Sequence, residues 1–143
     1  MIMDNKDLLN SIVKTAQMGQ IGIRSVLKCP LRADLKTALR SQLDEYDKIE
    51  QSAMKIAASK GWKLDELNPI VKTMTNFMTK TRLTIGESNS RAAAMMIQGN
   101  TRGLIKGYKN LHHCKCSDER INRLQTTLLS REEENARQMQ GFL

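Results

Sequence analysis

The chain has 143 residues and a formal charge of +8, from 23 Lys and Arg against 15 Asp and Glu. Two prolines and eight glycines are too few for an all-β chain dense in tight turns or for a disordered linker, and no apolar run reaches the roughly 18 residues of a membrane span. Only 3 % of residues are aromatic, so a core must come from Leu, Ile, Val, Ala and nine Met.

A first helix is expected from about Asp4 to Leu27. Leu9, Val13, Ala16, Gln20, Ile23 and Leu27 recur at helical spacing and share one face, widened by Leu8, Ile12, Gly19 and Val26. Gly19 and Gly22 each cost about 1 kcal/mol of helix propensity, which suits the close approach of a neighbouring helix. Pro30 ends the helix, because it disfavours helical backbone at Cys29. A second helix runs from just after Pro30 to about Lys60, with Leu31, Leu35, Leu39, Gln42, Glu45, Tyr46, Ile49, Ala53 and Ile56 in its stripe. Gly61 fits a C-terminal stop, and the single Trp, Trp62, suits a plug over one end of a bundle.

The third helix reads as two parts. The first covers about Glu66 to Thr84, with Pro69 tolerated in its opening turn. The turn-rich stretch Ile85-Gly86-Glu87-Ser88-Asn89-Ser90 breaks it near residues 85–90. Ser88 or Asn89 caps the second part, which runs to about His112. Ala93, Ile97, Asn100, Leu104, Tyr108 and Leu111 follow its helical spacing, and Gly99, Gly103 and Gly107 form a small-residue strip suited to tight helix packing. A fourth helix spans about Ser117 to Gly141, opening on acids favourable at a helix N-terminus and carrying Ile121, Leu124, Leu128, Glu132, Asn135 and Met139. No segment alternates with the period of a strand. The expected fold is all-α: an antiparallel four-helix bundle in a single domain, residues 1–143, with short or modest connections.

The charge would attract polyanions non-specifically, but bases alternate with acids along every helix and read as solvated surface. Bases are not interleaved with aromatics, so a stacking platform for nucleic acid is not expected. Met1 to Asn10 carries Asp4, Lys6 and Asp7 in place of a signal-peptide apolar segment, so a cytoplasmic location is expected. Cys29, Cys114 and Cys116 are an odd number of cysteines, which argues against a disulfide framework.

Polar residues interrupt each apolar stripe near mid-helix: Gln20, then Gln42 and Glu45, then Asn100, then Glu132 and Asn135. The count of one, two, one, two is that of a di-iron carboxylate bundle, which takes single Glu residues from two helices and a Glu-x-x-His pair from each of the others. Here the layer offers two carboxylates, Glu45 and Glu132, with four neutral amides and no imidazole. Hard divalent ions need anionic oxygen or imidazole. At most a single weakly held divalent metal is expected, against the simpler reading of a hydrogen-bonded network that fixes helix register.

A second cluster, His112-His113-Cys114-Lys115-Cys116, places both histidines and two cysteines within five residues. Imidazole and thiolate suit Zn²⁺ or Cu⁺, yet five consecutive residues do not wrap a tetrahedral ion, and an exposed loop is the plainer reading. Lys115 and the following helix N-terminus would lower the Cys116 thiol pKa and make it reactive. No phosphate loop, dinucleotide fingerprint, nucleophile elbow or H-E-x-x-H motif is present.

Leu31-Arg32-Ala33-Asp34-Leu35 with Gln42-Leu43-Asp44-Glu45-Tyr46, Met95 to Gly103, and Glu132-Glu133-Glu134-Asn135 with the closing Gly141-Phe142-Leu143 resemble the second, third and fourth helices of a bacterial family of ferritin-like four-helix proteins of unknown function. The likeness spans about Met18 to Leu143. It implies a ferritin-like bundle, cytoplasmic, with no established activity. Metal-binding relatives in that superfamily use Glu and His where this chain has Gln20, Gln42, Glu45, Asn100, Glu132 and Asn135. Only Glu132 keeps a ligand type at a matching Glu position, so no catalytic role carries over. The His112 to Cys116 loop is not a feature of that family.

The expected function is therefore that of a non-catalytic bundle acting through protein–protein interaction or assembly, as a homo-oligomer or with a protein partner, and without a cofactor. The alternative is a metal-binding or redox protein, through Glu45 and Glu132 in the core or through His112, His113, Cys114 and Cys116 in the loop.

Overall fold

A computed structural model describes residues 2–65, 80–81 and 84–143. These residues form four long helices: α1 (Asn5–Leu27), α2 (Ala33–Ser59), α3 (Asn89–His113) and α4 (Glu119–Gln140). Among the described residues there is no strand, only an isolated bridge between Met3 and Cys114. No described helix is long and apolar enough to cross a membrane. The first part of the expected third helix, Glu66 to Thr84, lies largely outside the described residues.

Local chemistry sets the helix ends. Asp4 and Asp7 form a reciprocal capping box at the start of α1, each carboxylate accepting from the other's backbone N–H at 2.8 and 3.1 Å. Ser88 accepts from the Arg91 N–H and starts α3. Asp118 accepts from the N–H groups of Arg120 and Ile121 and starts α4. Gly61, at φ +66°, follows the Lys60 C-cap of α2, where a side chain would be strained.

Each helix buries one stripe. Leu8, Leu9, Ile12 and Ile23 of α1 meet Leu35, Leu39 and Ala53 of α2, Ala92 and Ala93 of α3, and Ile121 and Met139 of α4 in one core cluster. Two glycines of the strip work as expected. A Cβ on Gly103 would lie 3.0 Å from the Glu132 carboxyl, and one on Gly107 would lie 2.5 Å from Leu129, so α3 rides close against α4 at both. Gly99 differs, with open space beside it.

Contacts at the helix ends give the chain's course. At one end Asn5 meets Ser117 and Asp118, and Lys60 pairs with Asp118 at 2.9 Å. Half-buried Trp62 packs against the core and lies under the Lys60 ammonium, 5.1 Å from its ring. At the other end the Arg32 N–H donates to Asn89 and its guanidinium covers the Phe142 ring. The connections 28–32 and 114–118 are short, as expected. Lys60 and Ser88 instead stand at opposite ends, so the α2–α3 connection joins points separated by about the length of a 27-residue helix, some ~40 Å at 1.5 Å per residue.

Candidate functional site

Three helices supply a buried polar cluster at mid-bundle. Tyr46 comes from α2, Asn100 from α3 and Glu132 from α4, and each is only 2 % exposed. The Asn100 side-chain NH₂ donates to the Tyr46 hydroxyl at 3.1 Å and to Glu132 Oε2 at 2.9 Å. The Tyr46 phenol also faces the Glu132 carboxyl and lies near Asn135. Glycine makes the arrangement fit, since a Cβ on Gly19 would lie 2.8 Å from the Tyr46 ring.

Burial shapes the acid–base behaviour of this cluster. It disfavours the carboxylate and pushes Glu132 up to about 7, against the opposing hydrogen bonds from Asn100 and Tyr46. The Tyr46 phenol is raised by the same desolvation and then by the neighbouring Glu132 charge. Asn100 Oδ1 and Asn135 Nδ2 are buried without a hydrogen-bond partner.

A cavity of about 270 Å³ opens between α1 and α3 directly over this cluster. Met18, Gly22, Met95, Met96 and Gly99 contribute to its walls, while Tyr46, Asn100 and Glu132 form its polar floor. Lys14, Arg102 and Lys106 also line it. Lys106 is lowered by desolvation and then by the charge of Lys14. The geometry offers a mostly apolar volume with a hydrogen-bonding floor and three cationic side chains.

Gln20, Gln42 and Glu45 of the expected layer do not join this cluster. Gln20 donates to Glu50 Oε1 at 2.9 Å, and Gln17 donates to the other oxygen at 2.7 Å, which makes a separate link between α1 and α2. Gln42 donates to Gln138 at 2.8 Å. Glu45 does not pair with Glu132. It is about one third exposed, lies 3.7 Å from Arg131, and lines a second cavity with Glu134, Asn135 and Gln138. Its carboxyl is raised by burial, with Arg131 opposing.

The cause is angular. Helical residues advance by about 100° each, so Tyr46 sits within about 40° of Gln42 while Glu45 turns to the edge. Helical periodicity groups Tyr46 with the core apolars and says nothing of its hydroxyl. A signal was available, because a Tyr in mid-stripe needs a buried hydrogen-bond partner. Glu50 was missed because its partner, Gln20, belongs to another helix.

The donor set does not suit a metal pair. One buried carboxylate among amides and a phenol lacks the anionic ligands that two hard ions require. Among the described residues no three His, Cys, Asp or Glu side chains gather into a metal-holding group. His112 and His113, expected in the loop, instead form the last turn of α3 and are exposed. Cys114 and Cys116 are half-buried, with Cα atoms 5.2 Å apart. Cys29 is buried, with its sulfur 4.0 Å from the Ser25 carbonyl oxygen. The chain matches no protein-family model, no curated protein and no solved structure.

Proposed function

We propose that the chain is a ferritin-like bundle without catalytic activity that binds a small acidic amphiphile where metal-binding bundles hold ions. The cavity over Tyr46, Asn100 and Glu132 is the observation that carries this reading. Its methionine and glycine walls suit an apolar body. Lys14, Arg102 and Lys106 suit an anionic head group, and Glu132 on the floor would repel one, so the head belongs near the bases and the apolar end inside. At about 270 Å³ the volume lies just below the roughly 300–1,000 Å³ of drug-sized sites, which favours a short-chain ligand. The ferritin-like topology is supported by the connection between Lys60 and Ser88, because one long crossover between the second and third helices is a ferritin-like trait.

Gly99 gives the test. Gly99 lines the cavity and its side-chain position meets open space, so Gly99→Leu adds an apolar side chain at the cavity mouth and raises helix propensity with little strain. Octanoate is a suitable probe, followed by calorimetry and by thermal shift. Wild-type protein is expected to bind it and Gly99→Leu to lose binding while staying folded. Equal binding by both proteins, or none by wild type, overturns the reading.

A second reading is assembly with another copy or a protein partner. Ile105, Tyr108 and Leu111 are exposed on α3 at 53, 45 and 36 %, spaced three apart, and Met residues such as exposed Met18 adapt to contact surfaces. Sedimentation equilibrium of wild type and Ile105→Ser distinguishes it. A dimer weakened by the substitution supports a self-contact through this face, and a wild-type monomer at high concentration removes self-assembly.

A further inference from the structure

The positive charge of the chain is unevenly placed. From Ser88 to Ser117 the sequence holds no Asp or Glu, so α3 alone of the four described helices carries no acid, and bases do not alternate with acids there. Arg102, Lys106 and Lys109 follow one another at spacings of four and three, which sets them in one stripe along α3. His113 continues the stripe four residues on, and all four side chains are exposed. Among the described residues, Arg102, Lys106 and Lys109 form no ion pair. Lys14 of α1, which lines the same cavity as Arg102 and Lys106, is already paired with Asp65 at 2.8 Å.

An aliphatic side chain stands beside this stripe. Ile105 lies three residues after Arg102 and four before Lys109, and it is the most exposed large apolar side chain of α3. Tyr108 follows on the flank toward α4, where its hydroxyl donates to Glu133 at 2.5 Å. A second copy set on this face would bring like charges together. The phosphates of a nucleic acid would meet the bases and leave Ile105 without an apolar partner. An anionic bilayer surface meets both, because its head groups attract the bases while its acyl boundary takes up the aliphatic side chain. Arg102 and Lys106 also border the cavity between α1 and α3, so a bilayer on this face lies beside the cavity.

We infer that the outer face of α3, through Arg102, Ile105, Lys106 and Lys109, docks on the surface of an anionic lipid bilayer. The helix lies along the surface, its bases among the anionic head groups and Ile105 pressed into the head-group layer. Each Lys or Arg held at such a surface strengthens binding about fivefold. Salt weakens the attraction, because charges are screened beyond about 8–10 Å at ordinary ionic strength. Three bases and one isoleucine make a reversible contact and not a permanent anchor. The docking goes beyond the cavity reading and stands without it. Where both hold, an acidic amphiphile passes between the bilayer and the cavity along Arg102 and Lys106.

Co-sedimentation with vesicles tests this. Untagged protein is mixed at low salt with vesicles of phosphatidylcholine alone, or of phosphatidylcholine with phosphatidylglycerol, both free of fatty acid. The expected result is pelleting with the anionic vesicles only, reversed by added salt. Lys109→Gln should weaken binding about fivefold, and Ile105→Ser should weaken it at unchanged charge. Lys55→Gln, on the exposed face of α2, should bind as wild type does, and circular dichroism checks that each variant is folded. Equal losses for Lys109→Gln and Lys55→Gln overturn the inference, because net charge alone then carries the binding. So does tighter binding to a mixed-sequence DNA duplex that Ile105→Ser leaves unchanged, or self-association without vesicle binding. Octanoate binding without vesicle binding overturns the docking and leaves the cavity reading standing, whereas vesicle binding without octanoate binding supports the docking alone.

Discussion

Two carboxylates on α4 mark the contrast between the buried layer and the loop. Glu132, at mid-helix, is pushed up to about 7 because burial removes the water that would solvate its charge. Asp118, at the N-cap, is held down at about 2, first by Lys60 and further by the backbone N–H groups of Ile121 and Arg120. One helix therefore moves the same functional group in opposite directions. The partners of Glu132 are other side chains, from α2 and α3, whereas Asp118 meets a lysine and two main-chain donors within the solvent-facing end. Supply of cationic and backbone donors, against depth alone, decides which way an acid moves.

The largest expected effect comes from breaking the layer. Asn100→Ala leaves Tyr46 and Glu132 without their shared donor, at a cost of about 1–3 kcal/mol for each buried group left unsatisfied. Chemical denaturation should show a lower midpoint with an unchanged slope. A loss under about 0.5 kcal/mol, the usual range for surface substitutions, would mean that the layer is not the buried network described.

Titration sharpens the contrast further. Because Glu132 binds its proton more tightly when folded, its contribution to stability is full below its ordinary value of 4.5 and is lost as pH rises through about 7. The slope in that window is at most about 1.4 kcal/mol per pH unit. Glu132→Gln should flatten it. For Asp118 the sign reverses. Its contribution is present above its ordinary value of 3.8 and is lost as pH falls through about 2. Asp118→Ala should cost about 1 kcal/mol at neutral pH, as loss of a helix cap does, and should remove the acid-side slope while leaving the Glu132 window intact. Urea denaturation from acid to mildly alkaline pH separates the two, and a pH-independent wild type would defeat both assignments. Smallest is the effect expected of Cys114→Ser on stability, within about 0.5 kcal/mol, because Cys114 is only half-buried in the α3–α4 connection, outside the buried network.

Local patterns carried most of the helical architecture. The apolar stripe of α1, the caps at Asp4, Ser88 and Asp118, and the stops at Pro30 and Gly61 are short-range effects, so their positions could be read from spacing alone. The polar layer was legible as a set of interruptions but not as a set of partners. Asn100 and Glu132 do meet, while Gln20, Gln42 and Glu45 turn to Glu50, Gln138 and Arg131. Helical periodicity says which face a residue occupies on its own helix. It does not say how that helix is rotated against its neighbours.

The sequence by itself determined that the described residues are helical, about where α1 to α4 begin and end, and which residues interrupt their apolar faces, because each of these depends on residues a few places apart. Tertiary structure alone decided that Tyr46 completes the buried cluster, that Gly99 borders a cavity while Gly103 and Gly107 admit α4, and that Glu45 and Glu132 stand apart. Those outcomes rest on the rotation and spacing of helices that are distant in the chain. They are set by the packing of many side chains at once and by no local pattern.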